Sequence, residues 1–530
     1  MLPFFVIIPT LIAVFLFMFS GAKAGRIIAI GFQTALAAFA LHLFLITREQ
    51  TEYLVVGDFY GLLGIVLRAD NLAAVFVLLT SIIFLVITIY TFNERSSRTY
   101  WFLIFLLEAA LIGLFLTRDF FNIFVLVEVS TVLITILLMY NRKRRNLFTG
   151  MTFIMINIVV MQFYLFGLGY IYMLTGVLDM EAAAHIMSHM NHADLVLPYA
   201  LIMTAVAAKC SLLPLFTWLP KVNSIPGSRS AVAAVMSGLH IKSGVYLFIR
   251  FQDVFGDFAQ QDFFVIIGVI TGIAGVIGAL AQTNIKLVLS YSTIAQIGLL
   301  MIGLNMDYAY YAYYGSLFHI INHSIFKTAL FMGAGMIANM YATQEIDQIR
   351  GLFRVNKTLA IATVLSILGI VGVPLFNGSV SKYFMMRGAT GLLEWAMIII
   401  NLGTILICIK YCAILFGRPK EKLEERRLTI NWFKQISTIT LGVACFILGI
   451  FGEAFKNFAF NLEVHVDALS YLEKAGVFAA SVAAGLLITK FVLKDGKLLR
   501  PLRNFDLSFK TMCVSVGAFF ALMIVVAGVL

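Results

Sequence analysis

Four charged side chains are surrounded by apolar ones: Glu128, eight residues into an apolar run within 117–128, and Lys209, Lys242 and Lys382. A lone carboxylate or ammonium at the centre of a bilayer costs about 2.5–3.5 kcal/mol on insertion scales, so a chain that keeps several of them moves charge. A buried lysine can load and release a proton, because desolvation and a nearby carboxylate such as Glu128 act on it in opposite senses. His319, His323 and Lys327 follow at i, i+4 and i+8 of one apolar stretch and form a single polar stripe, suited to relaying a proton between hydrogen-bonded groups. Glu108, His240 and Lys410 are secondary candidates of the same kind. The competing account of each lysine is a side chain that snorkels to an interface. For the histidines it is a packed, hydrogen-bonded pair, or a metal site for which no third ligand is in view. Neither a nucleophile elbow, a zinc-protease motif nor a phosphate loop occurs, so the residues point to no catalytic centre, cofactor or metal.

The elements that must hold these groups are membrane helices. Of 530 residues, 61% are hydrophobic and 12% charged, and the mean hydropathy is +0.97. Apolar stretches of spanning length recur along the whole chain, which makes it an all-α polytopic membrane protein. Its net charge of +11 resides in short loops between spans, where membrane topology accounts for it and nucleic acid is not required. Residues 1–20 lack a basic start and a small-residue cleavage site, so they read as a first span and not a signal peptide. Cys210, Cys408, Cys412, Cys445 and Cys513 lie in or beside spans without CxxC spacing and read as packing residues.

Hydropathy predicts about sixteen spans, from residues 3–20 to 511–530, with the seventh over 196–216 and the twelfth over 357–388. Loops after odd-numbered spans hold the basic residues: Lys23 and Arg26, Arg95 and Arg98, Arg142 to Arg145, Lys221, Lys286, Arg350 to Lys357, Arg418 to Arg427, and Lys494 to Arg503. Even loops are poorer in them and often acidic, as at Asp253, Asp257 and Asp262. The positive-inside rule then puts both termini outside the cytoplasm. Residues 53–70 are too polar to cross and are expected to form a short hairpin of structural role.

Spans seven and twelve contain helix breakers, Pro214 to Pro226 and Gly369 to Pro374 followed by Asn377 and Gly378. Grouped as spans 4–8 and 9–13, each break falls in the fourth helix of its block. A five-helix block repeated once is inverted, the pattern of a transporter with broken helices beside its pathway. The expected division is helices 1–3 over 1–99, a first repeat over 100–251, a second over 263–416, and helices 14–16 over 417–530.

Residues 209–220, 242–250, 290–298, 318–331 and 372–382 resemble the proton-pumping antiporter-like subunits of respiratory complex I, Mrp-type sodium/proton antiporters and membrane-bound hydrogenases. Residues 64–70 and 118–128 look most like the Mrp D-type subunit. The resemblance implies a fourteen-helix core and a pathway of Glu128, Lys209, Lys242, the span-eleven histidines and Lys382. It also implies an ion pair between Glu128 and Lys209 whose opening gates the proton. The function it implies is a proton-translocating subunit of a multi-subunit cation/proton antiporter in a prokaryotic cell membrane. The same module inside a hydrogenase or a complex I-type dehydrogenase is the alternative. Expected partners are other membrane subunits, lipid, protons and sodium, with no cofactor on this chain. Two features depart from the family: Lys221 stands where an acidic residue is usual and Arg229 where an uncharged one is common, and the two spans after residue 460 exceed the core.

Overall fold

The computed structural model describes the chain outside residues 20–23, 58–63, 95–96, 226–228, 307–309, 419–430, 492–498, 505–506 and 530. Lys23, Arg95, Pro226, Lys420, Lys422, Arg426, Arg427, Lys494 and Lys497, and the hairpin residues Gly61 to Leu63, therefore lie outside the described residues.

Long apolar helices dominate, and polar residues at their starts cap them. The first helices are α1 (Phe4–Phe19) and α2 (Ala24–Thr47), followed by the antiparallel strands β1 (Glu52–Val56) and β2 (Ile65–Ala69). Then come α3 (Asn71–Thr91), α4 (Arg98–Leu116), α5 (Phe120–Met139), α6 (Arg144–Thr175), a short α7 (Met180–Met187) and α8 (His192–Lys209). Asp70, Ser97 and Asp119 accept a main-chain N–H at the starts of α3, α4 and α5, satisfying donors a helix start leaves open. After the short α9 (Trp218–Asn223), α10 (Ser230–Val235) and α11 (Ile241–Phe255) are joined by a π-helical turn over Met236–His240. The remainder is α12 (Gln261–Ala281), α13 (Ile285–Asn305), α14 (Tyr310–Tyr341), α15 (Leu352–Val355), α16 (Lys357–Val371), α17 (Asn377–Met385), α18 (Gly391–Cys412), α19 (Trp432–Ile450), α20 (Gly452–Phe460), α21 (Ala468–Phe491) and α22 (Phe509–Val529). Among the described residues, 13 helices are long and apolar enough to cross a membrane, the stretch Ser230–Phe258 through α10 and α11 counting as one, and α1 and α16 are apolar but shorter.

The two expected breaks are real, and each moves a predicted boundary. The seventh span stops at Lys209, not near 216, because Ser211 takes a left-handed conformation (φ 57°) three residues before Pro214. The twelfth divides into α16 and α17: Gly372 turns left-handed (φ 84°), its N–H closing on Leu368 O at 3.2 Å, and Pro374 prevents continuation.

Two compact units result. The first comprises Met1–Cys210, His240–Gln260 and Ser508–Leu530, so the last helix, α22, packs beside α6 and α8 of the early sequence. In it the expected hairpin forms and is tied down. Arg118 N donates to Val66 O at 2.9 Å, and Asp70, next after β2, pairs with Arg118 at 3.0 Å and Arg250 at 2.6 Å. Burial alone would raise the Asp70 carboxyl, but Arg250 and Arg118 hold it down at about 2. The second unit comprises Ser211–Leu239 and Gln261–Leu507, with α12 against α13 and with α14 enclosed by α10, α13, α16, α17 and α19. The central part of α14 is buried on every side, whereas α21 buries little beyond Gly485.

Candidate functional site: two lysine cages

In the first unit Lys209 is the last residue of α8, where unpaired carbonyls and the negative end of the helix dipole favour a cation. Its ammonium donates to Thr131 Oγ1 at 3.0 Å and to Asn157 Oδ1 at 2.7 Å. Both acceptors are oriented by bonds of their own: Thr131 donates to Val127 O at 2.8 Å, and the Asn157 amide to Phe153 O at 2.8 Å. Thr131 lies one turn beyond Glu128 on α5, and Glu128 is an electrostatic neighbour of Lys209. Among the described residues, however, the ion pair implied by the resemblance is not closed: no Glu128 oxygen lies within 4.0 Å of the ammonium, and Oε1 has no hydrogen-bond partner. The neutral Thr131 and Asn157 hold the ammonium instead.

The end of α8 is fixed by α11. A side chain at Gly244 would put its Cβ 2.8 Å from the Lys209 carbonyl carbon, so the two backbones meet where only glycine fits. On the same helix Lys242 is wholly buried. His240, also buried, closes the π-helical turn; its carbonyl accepts from Ser243 Oγ at 2.6 Å, and its ring is an electrostatic neighbour of Lys209. Turns of that kind are frequent at functional sites because they shift the helix register locally. Glu108 sits elsewhere in this unit, fully buried on α4, where it accepts from the Gln33 side chain of α2.

In the second unit Lys382 reaches back from α17 to the end of α16. Its ammonium donates to Ile370 O at 2.7 Å, Val371 O at 3.1 Å and Asn401 Oδ1 at 2.7 Å, so all three N–H groups are accepted. The two carbonyls are those that the break at Gly372 leaves without a helical partner, and Asn401 belongs to α18. Lys327 of α14 donates to Leu289 O at 2.9 Å and Ser292 Oγ at 3.0 Å of α13. His319, His323 and Lys327 are all buried, with the imidazole centroids 6.1 Å apart, in keeping with the i, i+4 stripe. His319 meets Ser381 Oγ with Nδ1 at 2.9 Å and Gln296 Oε1 with Nε2 at 3.0 Å. Lys410 is half-buried and donates to Leu280 O at 2.6 Å and to Gln282 O, which makes it a cap on the end of α12.

The structure thus groups Glu128 with Lys209 and His240, and separately gathers His319, Lys327 and Lys382 around neutral acceptors. Thr131, Asn157, Asn401, Gln296, Ser292 and Ser381 were not among the sequence candidates. Asn157 and Asn401 had a signal, as single amides in apolar runs, but attention to charge passes over neutral acceptors. Lys221, one of the departures from the family, is engaged with Leu507 O at 2.6 Å.

The D-type subunit of the Na(+)/H(+) antiporter of Alkalihalophilus pseudofirmus is 28% identical over 487 residues, which cover 88% of this chain and 97% of the relative. Its counterpart in Bacillus subtilis is 28% identical over 385 residues, 70% of this chain and 77% of that one. Among solved structures, a chain of the Mrp complex from Dietzia superposes with a TM-score of 0.80 at 21% identity, covering 91% of this chain and 99% of the other. A chain of an archaeal membrane-bound sulfane sulfur reductase gives 0.78 at 21% identity with the same coverage. These two likenesses establish the fold. The family described as NADH:quinone oxidoreductase/Mrp antiporter, transmembrane, matches residues 117–408, more than half of the chain, from the start of the Glu128 helix to Cys408. Lysines held at the broken ends of apolar helices are thus framed by the segment the family defines, and the chain belongs to the NADH:quinone oxidoreductase/Mrp antiporter transmembrane family.

Proposed function

We propose that this chain is the proton-translocating D-type subunit of a multi-subunit Mrp-type sodium/proton antiporter in a prokaryotic cell membrane, working with other membrane subunits. The observation that carries the reading is the Lys209 cage, a buried ammonium at a helix end, beside a carboxylate that does not neutralise it by contact. An ammonium bonded to neutral, rotatable acceptors can exchange its proton without first breaking a salt bridge. In this reading protons use Glu128, Lys209 and Lys242 in the first unit and His319, His323, Lys327 and Lys382 in the second, with Glu108, His240 and Lys410 as lesser contributors. The names of the D-type relatives supply sodium as the exchanged cation.

A second reading, the same module inside a redox complex, is favoured by the likeness to the sulfane sulfur reductase chain. Everted vesicles carrying the complete complex separate the two readings. Sodium added to vesicles with an acid lumen should raise the luminal pH in proportion to the chain present. Proton movement that ignores sodium and follows an electron donor would transfer the protein to the redox reading.

A further inference from the structure

His319 is oriented by a chain of bonds whose polarity can be read from one end. Thr404 Oγ1 donates to Ile400 O at 3.1 Å, so toward Gln296 it accepts. The Gln296 amide nitrogen, 2.9 Å away, is therefore the group facing Thr404, and Gln296 Oε1 faces the imidazole. A carboxamide oxygen only accepts, so His319 Nε2 carries its hydrogen in both charge states. The proton that comes and goes does so at Nδ1, and Nδ1 faces Ser381.

Ser381 has a second choice of acceptor. Its Oγ lies 2.9 Å from His319 Nδ1, but also 3.2 Å from Asn377 O and 3.3 Å from Gly378 O in the first turn of α17. A neutral imidazole presents a lone pair at Nδ1, which the hydroxyl hydrogen fills. An imidazolium presents N–H there, so the same oxygen must accept, and its hydrogen must turn to the backbone carbonyls. We propose that Ser381 is a two-position hydroxyl switch that registers the proton on His319 and passes the change to the helix bearing Lys382. The balance is simple: the translocated proton leaves a protonated donor on the pathway, a hydronium ion or an ammonium whose own bond to hydrogen breaks, and forms the N–H at Nδ1. The hydroxyl keeps its own hydrogen and rotates, so that it accepts from Nδ1 and donates to Asn377 O or Gly378 O. Lys382 is the next residue, and the turn being strengthened is the start of its own helix. Asn322 of α14 already donates to Asn377 O at 2.9 Å, so this carbonyl is a point where α14 and α17 are coupled.

The inference rests on the proton-translocating reading, and Ser381 is a positioning residue in it. Its first test needs no transport. In the complete complex, labelled with 15N-histidine and reconstituted in bilayers, the His319 signal is assigned by its loss in His319→Asn. The neutral ring should carry hydrogen on Nε2, and Gln296→Leu should release the other tautomer. A neutral ring protonated on Nδ1 in the unaltered protein would overturn the proposal, whatever the complex transports. The second test is exchange in vesicles. Ser381→Ala should slow it roughly ten- to a hundredfold, the scale of losing one buried hydrogen bond from a proton-transfer group. Ser381→Thr, which keeps the hydroxyl, should restore most of the rate. Full activity in Ser381→Ala, or equal loss in Ser381→Ala and Ser381→Thr at unchanged protein level, would refute the switch, whereas no exchange by the unaltered complex would refute the antiporter reading instead.

Discussion

Lys209 and Lys382 each stand at the break of an apolar helix, yet they are held differently. Each ammonium has an asparagine Oδ1 at 2.7 Å. Beyond that, Lys209 leans on a threonine hydroxyl that can rotate, with Glu128 nearby, whereas Lys382 is bound by two main-chain carbonyls of a helix end. Among the described residues no carboxylate pairs with Lys382. Removing one proton from Lys382 would leave an acceptor of its cage without a donor, and an unsatisfied buried acceptor costs about 1–3 kcal/mol. The Lys209 cage can reorganise through a hydroxyl instead. The difference suggests a division of labour, with the first lysine tuned by a neighbouring charge and the second by the integrity of a broken helix.

The largest expected effect tests the first cage. Glu128→Ala and Lys209→Ala should each reduce exchange by at least about a hundredfold, the range for losing a positioned proton-transfer group, while both variants still insert in the membrane. Near-normal exchange in both would remove the gating role and with it the contrast. Next comes Lys382: arginine keeps the charge but does not deprotonate near neutral pH, and alanine loses both properties. If Lys382 carries a proton, Lys382→Arg and Lys382→Ala should both lose about tenfold or more. If Lys382→Arg retains most activity, the lysine supplies fixed charge to the ends of α16, and the comparison becomes one of carrier against cap.

The shared asparagines sharpen the comparison further. Asn157→Leu leaves Lys209 with Thr131 alone and should cost about tenfold in exchange, the scale of losing one buried hydrogen bond to a charged group. Asn401→Leu leaves Lys382 two carbonyls, and a drop of no more than about threefold is expected, the low end of one hydrogen bond's net worth. Equal losses would mean that the two cages work alike.

The smallest effect lies at Asp70, away from both lysines. Its carboxyl is depressed from 3.8 to about 2, so its contribution of about 2 kcal/mol is present above the unfolded value and is lost as pH falls through the folded one. Thermal unfolding of the purified protein should show no Asp70-dependent change between pH 7 and 5, with the loss confined to the interval from about 4 down to 2. Asp70→Asn should lower the midpoint at neutral pH and flatten that acid dependence. A steep Asp70-dependent change near pH 6 would contradict the pairing with Arg118 and Arg250.

Much of this was legible in the residues alone. Spanning helices follow from the length of apolar runs, because no backbone polar group can be left open in hydrocarbon. The breaks near Pro214 and Pro374 follow from proline and glycine chemistry, although the residue where each helix stops does not. The seventh span ends at Lys209 because of Ser211, a residue with no intrinsic signal for a left-handed conformation.

What the sequence determined by itself is which groups could carry charge, since a lysine or histidine in an apolar run has a cost that is rarely borne without a function. What tertiary structure decided is what each group touches. Thr131 and Asn157 reach Lys209 from 78 and 52 residues away, Asn401 reaches Lys382 from the next helix, and Gln296 meets His319 Nε2 from another helix. A neutral amide in an apolar run signals that it has a partner but not which one, and hydroxyls, which can bond to their own helix, follow no spacing rule that would betray them. Their role arises only where packing sets them beside a charge, and the same packing leaves the carboxylate of Glu128 near Lys209 without contact.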